Sequence, residues 1–462
     1  MYDSIIIGAG PAGLFAAYKL IGKKVLLIEK GYRPKERAAH MQEKRLMHNG
    51  ISNIMSGVGG AGLFSDGKLN FIPTLGKTDL TQFMDKNQAQ ALIDETEAIF
   101  NRFGMDGDVY PTNMDEALNI KTKAKMHDID LLIIKQKHLG SDKLPDYMEN
   151  MLTYLEQNGI EVKTGENVVD FLIENNQSKG IKTKTNIYYS NNIIAAPGRV
   201  GSKWLYQKAK DMNLKVKYRA VEVGVRIEMP KEILDKITDV IYDPTFFIQT
   251  PTYDDTVRTF CTNKQGFVAQ ENYDDFVCVN GHAEKKRKSN ASNFAFLSKV
   301  ELTEPIDDTY KYGKSICKLA NTIGGGKPII QRLGDLKRGR RSTWNRIQKC
   351  GFEPTLKDVT PGDISMALPK RIVTNLVEGL DKMDKIIPGI ANNSTLLYAP
   401  EIKFFSTQIE TNKQLETSIQ GLFVAGDGAG VSGNIVGAAA TGILAAEGVK
   451  KRLNTSLNIT SL

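Results

Sequence analysis

The residues with the clearest chemical meaning stand within the first thirty. Gly8, Gly10 and Gly13 form a G-x-G-x-x-G run, with Ala9, Pro11 and Ala12 in the gaps. The run follows the apolar segment Tyr2–Ile7 and precedes Leu14–Leu20. In that setting each glycine has its own task. Gly8 permits a tight turn out of a strand, Gly10 lets a pyrophosphate come against bare backbone, and Gly13 lets a helix pack closely on the sheet. The helix N-terminus then presents unpaired N–H groups and its positive dipole end to the phosphates. Val25–Ile28 reads as a second strand, ended by Glu29 and Lys30. An acid there can accept hydrogen bonds from adenosine ribose hydroxyls and opposes a 2′-phosphate by like charge. These residues predict a βαβ site for FAD or NAD rather than NADP. Its cofactor-binding residues would be Gly8, Gly10, Pro11, Ala12, Gly13, Glu29 and Lys30.

Two further glycine-rich segments belong to the same question. One is Gly57–Leu69, in which Gly60, Ala61, Gly62 and Ser65 could wrap a planar or anionic ligand in backbone. The other runs from Gly421 through Gly426-Asp427 to Gly433-Asn434-Ile435-Val436 and an Ala/Gly-rich helix ending near Val449. Its order of strand, Gly-Asp, loop and small-residue helix resembles the second flavin signature of the glutathione-reductase-like flavoproteins. The resemblance implies that Asp427 binds the ribityl or pyrophosphate region. It also implies that backbone around Gly433, Asn434, Ile435 and Val436 meets the flavin pyrimidine edge, where negative charge develops on reduction. Between the two, Gly159–Gly165 reads as a strand, with Val168 where that superfamily makes an adenine contact. Asn192–Gly198 is similar to its Ala-Thr-Gly strand end, carried here by Ala196, Pro197 and Gly198. Pro197 stands where the Thr hydroxyl would be.

A more detailed resemblance is to a largely uncharacterised bacterial family of FAD-dependent dehydrogenases. It is carried by GGAGLFSDGKL at 59–69, HLGSDKL at 138–144, GVRIEMP at 224–230, QRLGDLKRGR at 331–340 and PEIKFFS at 400–406. The chain departs from that family in two places. A Cys near 261 is not followed by a second Cys and Pro-Gly-Gly, and the acid–Thr–Arg–Thr stretch is replaced by Glu401-Ile402-Lys403-Phe404. The resemblance implies FAD as cofactor and hydride transfer at flavin N5.

The chemistry beyond the cofactor is less legible. Lys68 closes the second glycine loop and could face flavin or substrate. Cys261 could lie near the flavin, and Arg340 could clamp a carboxylate bidentately. Glu401 and Lys403 alternate on one short strand and so share a face, as acid/base and anion anchor. The five histidines, His40, His48, His127, His138 and His282, show no metal-ligand spacing. His138 could cap structure or line the site. Cys261, Cys278, Cys317 and Cys350 have no C-x-x-C spacing, so each reads first as a small buried hydrophobe.

Elements must position these residues. The pattern predicts an α/β chain. A discontinuous Rossmann-like FAD-binding domain with a parallel βαβ sheet is expected at 1–76, 145–200 and 396–462. A helical insertion is expected at 77–144, and an α+β substrate or cap domain with a mainly antiparallel sheet at 201–395. Within that last domain Glu222–Glu228, Phe246–Gln249, Thr256–Thr262 and Phe276–Asn280 read as strands, and Asp307–Asn321 and Ile372–Met383 as helices. With 41% hydrophobic and 25% charged residues, close to ordinary globular usage, disorder is not the default reading. No stretch approaches the ~20 apolar residues of a membrane span, and Ile5–Ile7 lacks the flanks of a signal peptide. A cytoplasmic location is therefore expected.

No second G-x-G-x-x-G follows a strand, so NADH or NADPH, if it donates, is expected to bind transiently. Otherwise electrons come from the substrate or a redox partner protein. The expected activity is an FAD-dependent oxidoreductase acting on a small to medium anionic organic molecule. Saturation of a C=C bond with a separate donor is one alternative. A flavin-containing RNA-binding or tRNA-modifying protein is another, motivated by the basic stretch 327–349 and the net charge of +8. Nucleic-acid binding is disfavoured because no RNA-binding module appears. Oligomeric state is not legible.

Overall fold

Ser4–Ile7 and Val25–Ile28 are buried at every residue, as strands of a parallel sheet covered on both faces must be. They lie at the centre of a five-stranded sheet ordered Glu161–Lys163, Val25–Ile28, Ser4–Ile7, Ile193–Ala195, Leu422–Val424. Every neighbouring pair is parallel, with Ile5 opposite both Leu26 and Ile193. The helix Pro11–Lys19 joins the first two strands. It has few large side chains, and the C-terminal helix Ile435–Thr460 crosses it closely: a methyl on Gly442 would collide with the Ala12 carbonyl. Phe15 of the first helix packs on Phe100, with ring centroids 4.6 Å apart. A three-stranded antiparallel sheet, Val168–Glu174, Gln177–Thr183 and Ile187–Tyr189, completes this Rossmann-like unit.

The computed structural model describes the chain except residues 44, 46, 49–50, 66, 140–142, 274, 285–286, 301–308, 405–406 and 461–462, and the side chains of 456–460. Contacts divide it into two units, one of residues 1–108, 137–217 and 407–462, the other of 109–136 and 218–406.

The second unit is built on an eight-stranded sheet. Its order is Thr360–Pro361, Ile329–Arg332, Leu396–Lys403, Val221–Pro230, Ala291–Val300, Thr256–Asn263, Thr245–Gln249, Ile129–Leu132. The pairs are antiparallel apart from the first. Strict alternation on Val221–Pro230 explains its two faces. Val221, Val223, Val225, Ile227 and Met229 enter one apolar core, together with Leu376 and Leu380 of the helix Lys370–Met383 and Ile316 of the helix Thr309–Ile323. Glu222, Gly224, Arg226 and Glu228 take the other face. A hairpin, Phe267–Asn272 with Val277–His282, shares a small core with that region through Val268, Val279, Leu396 and Tyr398.

The fold class is the expected one: a parallel βαβ sheet and a mainly antiparallel second sheet. The unit boundaries fall differently from the expected ones. Residues 77–108 go with the first unit because Ala89, Ile93 and Phe100 of the helix Lys86–Arg102 enter its core. Residues 109–136 go with the second, since Ile129–Leu132 is an edge strand of the eight-stranded sheet. The stretch 201–217 joins the first unit through Leu205 and Ala209. Residues 396–406 leave it, because Leu396–Lys403 pairs within the second sheet. Hydrophobic period alone does not say which of two cores receives a segment. Among the described residues no helix is long and apolar enough to cross a membrane, and no group of three or more His, Cys, Asp or Glu is placed to hold a metal. Cys278, Cys317 and Cys350 are buried and Cys261 is half-buried; all are free thiols.

Candidate functional site

In the first unit, glycines from distant parts of the chain converge at the C-terminal ends of the parallel strands. Gly8 has φ +94°, and a methyl there would collide with the Ala196 carbonyl. A methyl on Gly13 would collide with the Gly8 carbonyl. These two glycines are demanded by packing within the protein. Gly10 is different. It caps the helix Pro11–Lys19, with Pro11 at its start, and a methyl there would meet only the Gly60 Cα at 3.8 Å. The space in front of Gly10 is open, so the fold itself does not require glycine. This is the cradle that a pyrophosphate would fill, and the residues present fit the expected group.

The second glycine segment forms the facing wall. Gly59 N–H donates to the Ala9 carbonyl at 2.8 Å, and a methyl on Gly60, φ +62°, would stand 3.3 Å from the Gly10 Cα. Gly60, Ala61 and Gly62 lie in a 3-10 turn, Gly60–Phe64, and Ser65 closes it by donating from Oγ to the Gly62 carbonyl at 2.7 Å. The C-terminal segment meets the others in turn. Gly426, φ +76°, abuts Ala12 of the first helix. Gly428 comes against Gly198, φ +65°, of the Ala196-Pro197-Gly198 strand end. Gly62 lies against Ile435 at the start of the last helix. Asn434 caps that helix by accepting from Gly437 N–H at 2.7 Å, while Val436 is fully buried.

Glu29 has a larger task than expected. Its carboxylate accepts from the N–H groups of Ala9 at 2.8 Å, Gly31 at 2.9 Å and Gly57 at 3.1 Å. It thereby ties both glycine loops to the end of its strand. A carboxylate has roughly four lone-pair sites, so capacity for a ribose hydroxyl remains. Glu29, Lys30 and Val168 border one open cavity of about 290 Å³, together with Pro197 and Trp204.

Asp427 is flanked by two cations. Lys77 Nζ pairs with it directly, and Arg199 Nε lies 3.1 Å from Oδ2. Burial works to raise its pKa, but Lys77 and Arg199 outweigh that and hold the carboxyl below its ordinary value. Thr78, fully buried, accepts at Oγ1 from Gly433 N–H at 2.9 Å and from Asn434 Nδ2 at 3.1 Å.

Sequence reading missed Arg37. This fully buried guanidinium donates to the carbonyls of Asn53, Ile54, Val58 and Gly60 at 2.6–3.0 Å. Burial pushes its pKa down to about 10, against the opposing pull of Glu29. It fixes the second glycine loop from beneath. Lys77, Thr78, Arg199 and Trp204 were missed as well. Each lies outside the glycine motifs, and only tertiary contact identifies it.

The second unit holds most of the expected catalytic residues. Glu401 and Lys403 do share a face, with Lys403 Nζ 3.3 Å from Glu401 Oε1. Glu401, however, is fully buried and bound bidentately by Arg226, Nε to Oε2 at 2.7 Å and Nη2 to Oε1 at 2.7 Å. Burial would raise its pKa, yet Arg226 and Lys403 hold it below the ordinary value. This weighs against the acid/base expectation: held at low pKa the carboxylate carries no proton to donate at neutral pH, and both of its oxygens already accept from cations. Arg226 also donates to the Cys261 carbonyl at 3.1 Å and to Asn293 Oδ1 at 2.9 Å. Cys261 has φ +52° and sits where the Thr256–Asn263 strand shifts register. Nearby, Arg258 Cζ and Lys403 Nζ lie 4.7 Å and 5.4 Å from the centroid of the Phe260 ring. Arg258 pairs with Glu222 at 2.6 Å.

Arg340 belongs to another cluster, bonded to Asp335 Oδ1 at 2.8 Å with Ser342 on the other oxygen. Asp335 takes the Arg340 Nε bond, and the Arg340 side chain stays 46% exposed. Other cations of the basic stretch are also paired, Lys327 with Asp358 and Lys337 with Asp381. Lys68 opens the strand Lys68–Phe71 of the first unit and is half-buried. His138 is buried at the end of the strand Lys135–His138. Of the family-like stretches, Asp66, 140–142 and 405–406 lie outside the described residues.

Comparison with known proteins bears on these units in different ways. Residues 360–456 match the family described as Glucose inhibited division protein A. The chain is 25% identical to a protein of Clostridium beijerinckii described as uncharacterised, over 97% of this chain and 81% of that one. Among solved structures, it is similar to the quinol fumarate reductase chain FrdA of E. coli, with TM-score 0.44 and 12% identity over 98% of this chain and 71% of that one. Glycine oxidase of Bacillus cereus gives TM-score 0.37 and 13% identity, covering 98% and 96% of the two chains. Residues 220–403, nearly the whole long segment of the second unit, match the family described as FAD-dependent protein, C-terminal domain-like.

Proposed function

We propose that this chain is an FAD-dependent oxidoreductase acting on a small to medium, anionic organic substrate. The observation that carries the reading is the open cradle at Gly10. Glycines 8 and 13 are explained by packing, whereas Gly10 leaves room that a bound pyrophosphate would use. Glu29 and Arg37 hold the two walls of that cradle in place, and the helix Pro11–Lys19 starts at it. FAD supplies hydride chemistry at its N5 atom. The protein's part is to bind, orient and exclude water. Asp427, Gly433, Asn434, Ile435 and Val436 would hold the flavin half, and Glu29, Lys30 and Val168 the adenosine half. Lys68 is kept as a candidate contact to flavin or substrate.

The anionic character of the substrate is supported by the second unit. There Lys403 remains partly exposed and shares the Phe260 ring with Arg258. Among the residues read from sequence, Lys403 and Cys261 stay as candidates for substrate contact. Electrons would come from NADH or NADPH bound transiently, from the substrate, or from a redox partner protein.

Purified protein with absorbance near ~450 nm tests the cofactor. Anaerobic mixing with NADH and with NADPH then tests the donor: rapid bleaching by either identifies a nicotinamide-linked reductase. A screen of organic acids for flavin reduction or reoxidation tests the substrate class. A colourless protein that gains no flavin on incubation with FAD would defeat the reading.

A further inference from the structure

Two thiols of the second unit stand against each other. Cys278 lies on the strand Val277–His282 and Cys317 on the helix Thr309–Ile323. They are 39 residues apart in sequence, and their Sγ atoms are 3.1 Å apart. A disulfide needs the sulfurs only about 1 Å closer. Strand and helix are also tied together beside the thiols. Asn321, one helical turn beyond Cys317, accepts from the Val277 N–H at 2.6 Å and donates to the Val277 carbonyl at 2.9 Å. Residues four apart share a helix face, so amide and thiol both meet the strand. Further along the same strand, Asn280 Oδ1 accepts from Arg226 Nη2 at 3.4 Å, and a methyl on Gly281 would collide with Arg226 Nη1 and Asn293. The strand pairs with Phe267–Asn272 in a two-stranded hairpin. That hairpin is thus anchored at two places: to Arg226 by polar contacts, and to the helix at Cys278 and Asn321.

We propose that Cys278 and Cys317 form a reversible disulfide, a redox latch that fixes the hairpin to the helix Thr309–Ile323. The oxidant is a low-molecular-weight disulfide. The thiolate of one cysteine attacks it, giving a mixed disulfide and releasing one small thiol; the other cysteine then displaces the second small thiol. Two protein S–H bonds and the reagent's S–S bond are lost. One protein S–S bond and two small-molecule S–H bonds form, and the protons pass to the departing thiolates. Access governs the rate. Cys278 and Cys317 are 1% and 0% exposed. The hydrogen bond with Cys317 and burial push the Cys278 thiol well above its ordinary pKa. Only a thiolate attacks, so the first step needs the hairpin to lift from the helix, and the closed bond is then shielded from reductants. The latch involves no flavin and is independent of the Gly10 cradle.

Full-length protein is equilibrated with mixtures of reduced and oxidised glutathione, one portion folded throughout and one refolded from urea in the same mixture. As the mixture becomes more oxidising, two of the four thiols should be lost together, with the mass falling by two hydrogens. Digestion should yield one linked pair of peptides, those holding Cys278 and Cys317. The refolded portion should reach this state sooner, since the hairpin is open while the chain folds. The linked form should melt about 10 °C above the reduced form. Cys278→Ala and Cys317→Ala should each lose both the link and the rise in melting temperature; either variant suffices if the other fails to fold. Protein that keeps all four thiols even after refolding in the most oxidising mixture overturns the proposal. So does a link through Cys261 or Cys350, or a linked form that melts no higher than the reduced one.

Discussion

Around its candidate site the first unit satisfies most polar groups through backbone, Asp427 with Lys77 and Arg199 apart, whereas the second unit pairs charged side chains with one another. The first unit builds its candidate site from bare backbone: glycines brought within a methyl's width of one another, with side chains such as Arg37 and Glu29 bonded to carbonyls and N–H groups. The second unit buries whole charged side chains inside one sheet face and satisfies them with one another, Arg226 with Glu401 and Arg258 with Glu222. Backbone dipoles leave a surface that a multiply charged ligand can occupy at little cost. Paired charges leave nothing to donate, and their contribution is to hold strands in register. On that face Glu401 and Glu222 are paired with Arg226 and Arg258, whereas Glu228 is bonded to Thr355 and Tyr398.

The sharpest way to break the comparison is at Gly10. Gly10→Val should fold, with a melting temperature within a few degrees of the parent, because its side chain enters open space. It should lose bound flavin altogether, read as absorbance near ~450 nm. Gly13→Val should instead fail to fold, since its side chain would enter the Gly8 carbonyl. A flavin-loaded Gly10→Val protein would remove the distinction between packing glycines and ligand glycines.

The next effect belongs to the second unit. Breaking one side of the buried pair, by Arg226→Met or Glu401→Gln, should cost about 3–5 kcal/mol in urea unfolding of the second unit. The double variant Arg226→Met/Glu401→Leu should recover most of that loss. Single variants of unchanged stability would mean that the pair is not the clamp described here.

Glu228 gives a smaller, pH-dependent effect. It is fully buried and accepts hydrogen bonds from Tyr398 Oη at 2.5 Å and from the Thr355 hydroxyl, with no cation bonded to it. Burial raises its pKa from 4.5 to about 6, only partly offset by the Thr355 and Tyr398 hydrogen bonds. A folded-state pKa above the unfolded one means the folded state binds the proton more tightly. The associated stability is fully present below pH ~4.5 and is lost as pH rises through ~6. Glu228→Gln should therefore leave stability nearly unchanged at pH 4 and raise it by about 2 kcal/mol at pH 8. Unfolding curves at the two pH values check this; equal effects at both would contradict it.

Smallest of all should be Lys403→Met. Its amine is partly exposed, so its pairing with Glu401 is worth about 1 kcal/mol or less. The flavin spectrum should not change, while affinity for an anionic substrate should fall. A variant that unfolds as readily as Glu401→Gln would place Lys403 with the structural charges.

Much of the first unit was legible because its information is local. Gly8, Gly10, Gly13 and Glu29 lie within one turn-helix-strand segment, and the spacing alone states their geometry. The tasks expected of Gly8 and Gly13 match the contacts they make. Glu401 and Lys403 were equally easy to see as neighbours on a strand. Their meaning was not, because it depends on Arg226, which lies 175 residues from Glu401 in sequence.

By itself, then, the sequence determined the βαβ fingerprint, several strands and helices of the second unit, and the close approach at Gly8 and Gly13. These follow from periodicity and from the missing side chain, and both act over a few residues. The strands Ile129–Leu132 and Lys135–His138 inside the expected helical insertion were not read from it. Tertiary structure decided which core receives 77–108 and 396–406. It assigned Glu29 to bridge two loops, buried Arg37 beneath one of them, and placed Trp204 beside the cavity. Each of those outcomes is set by which distant segment comes to lie alongside, and no pattern within a segment encodes that.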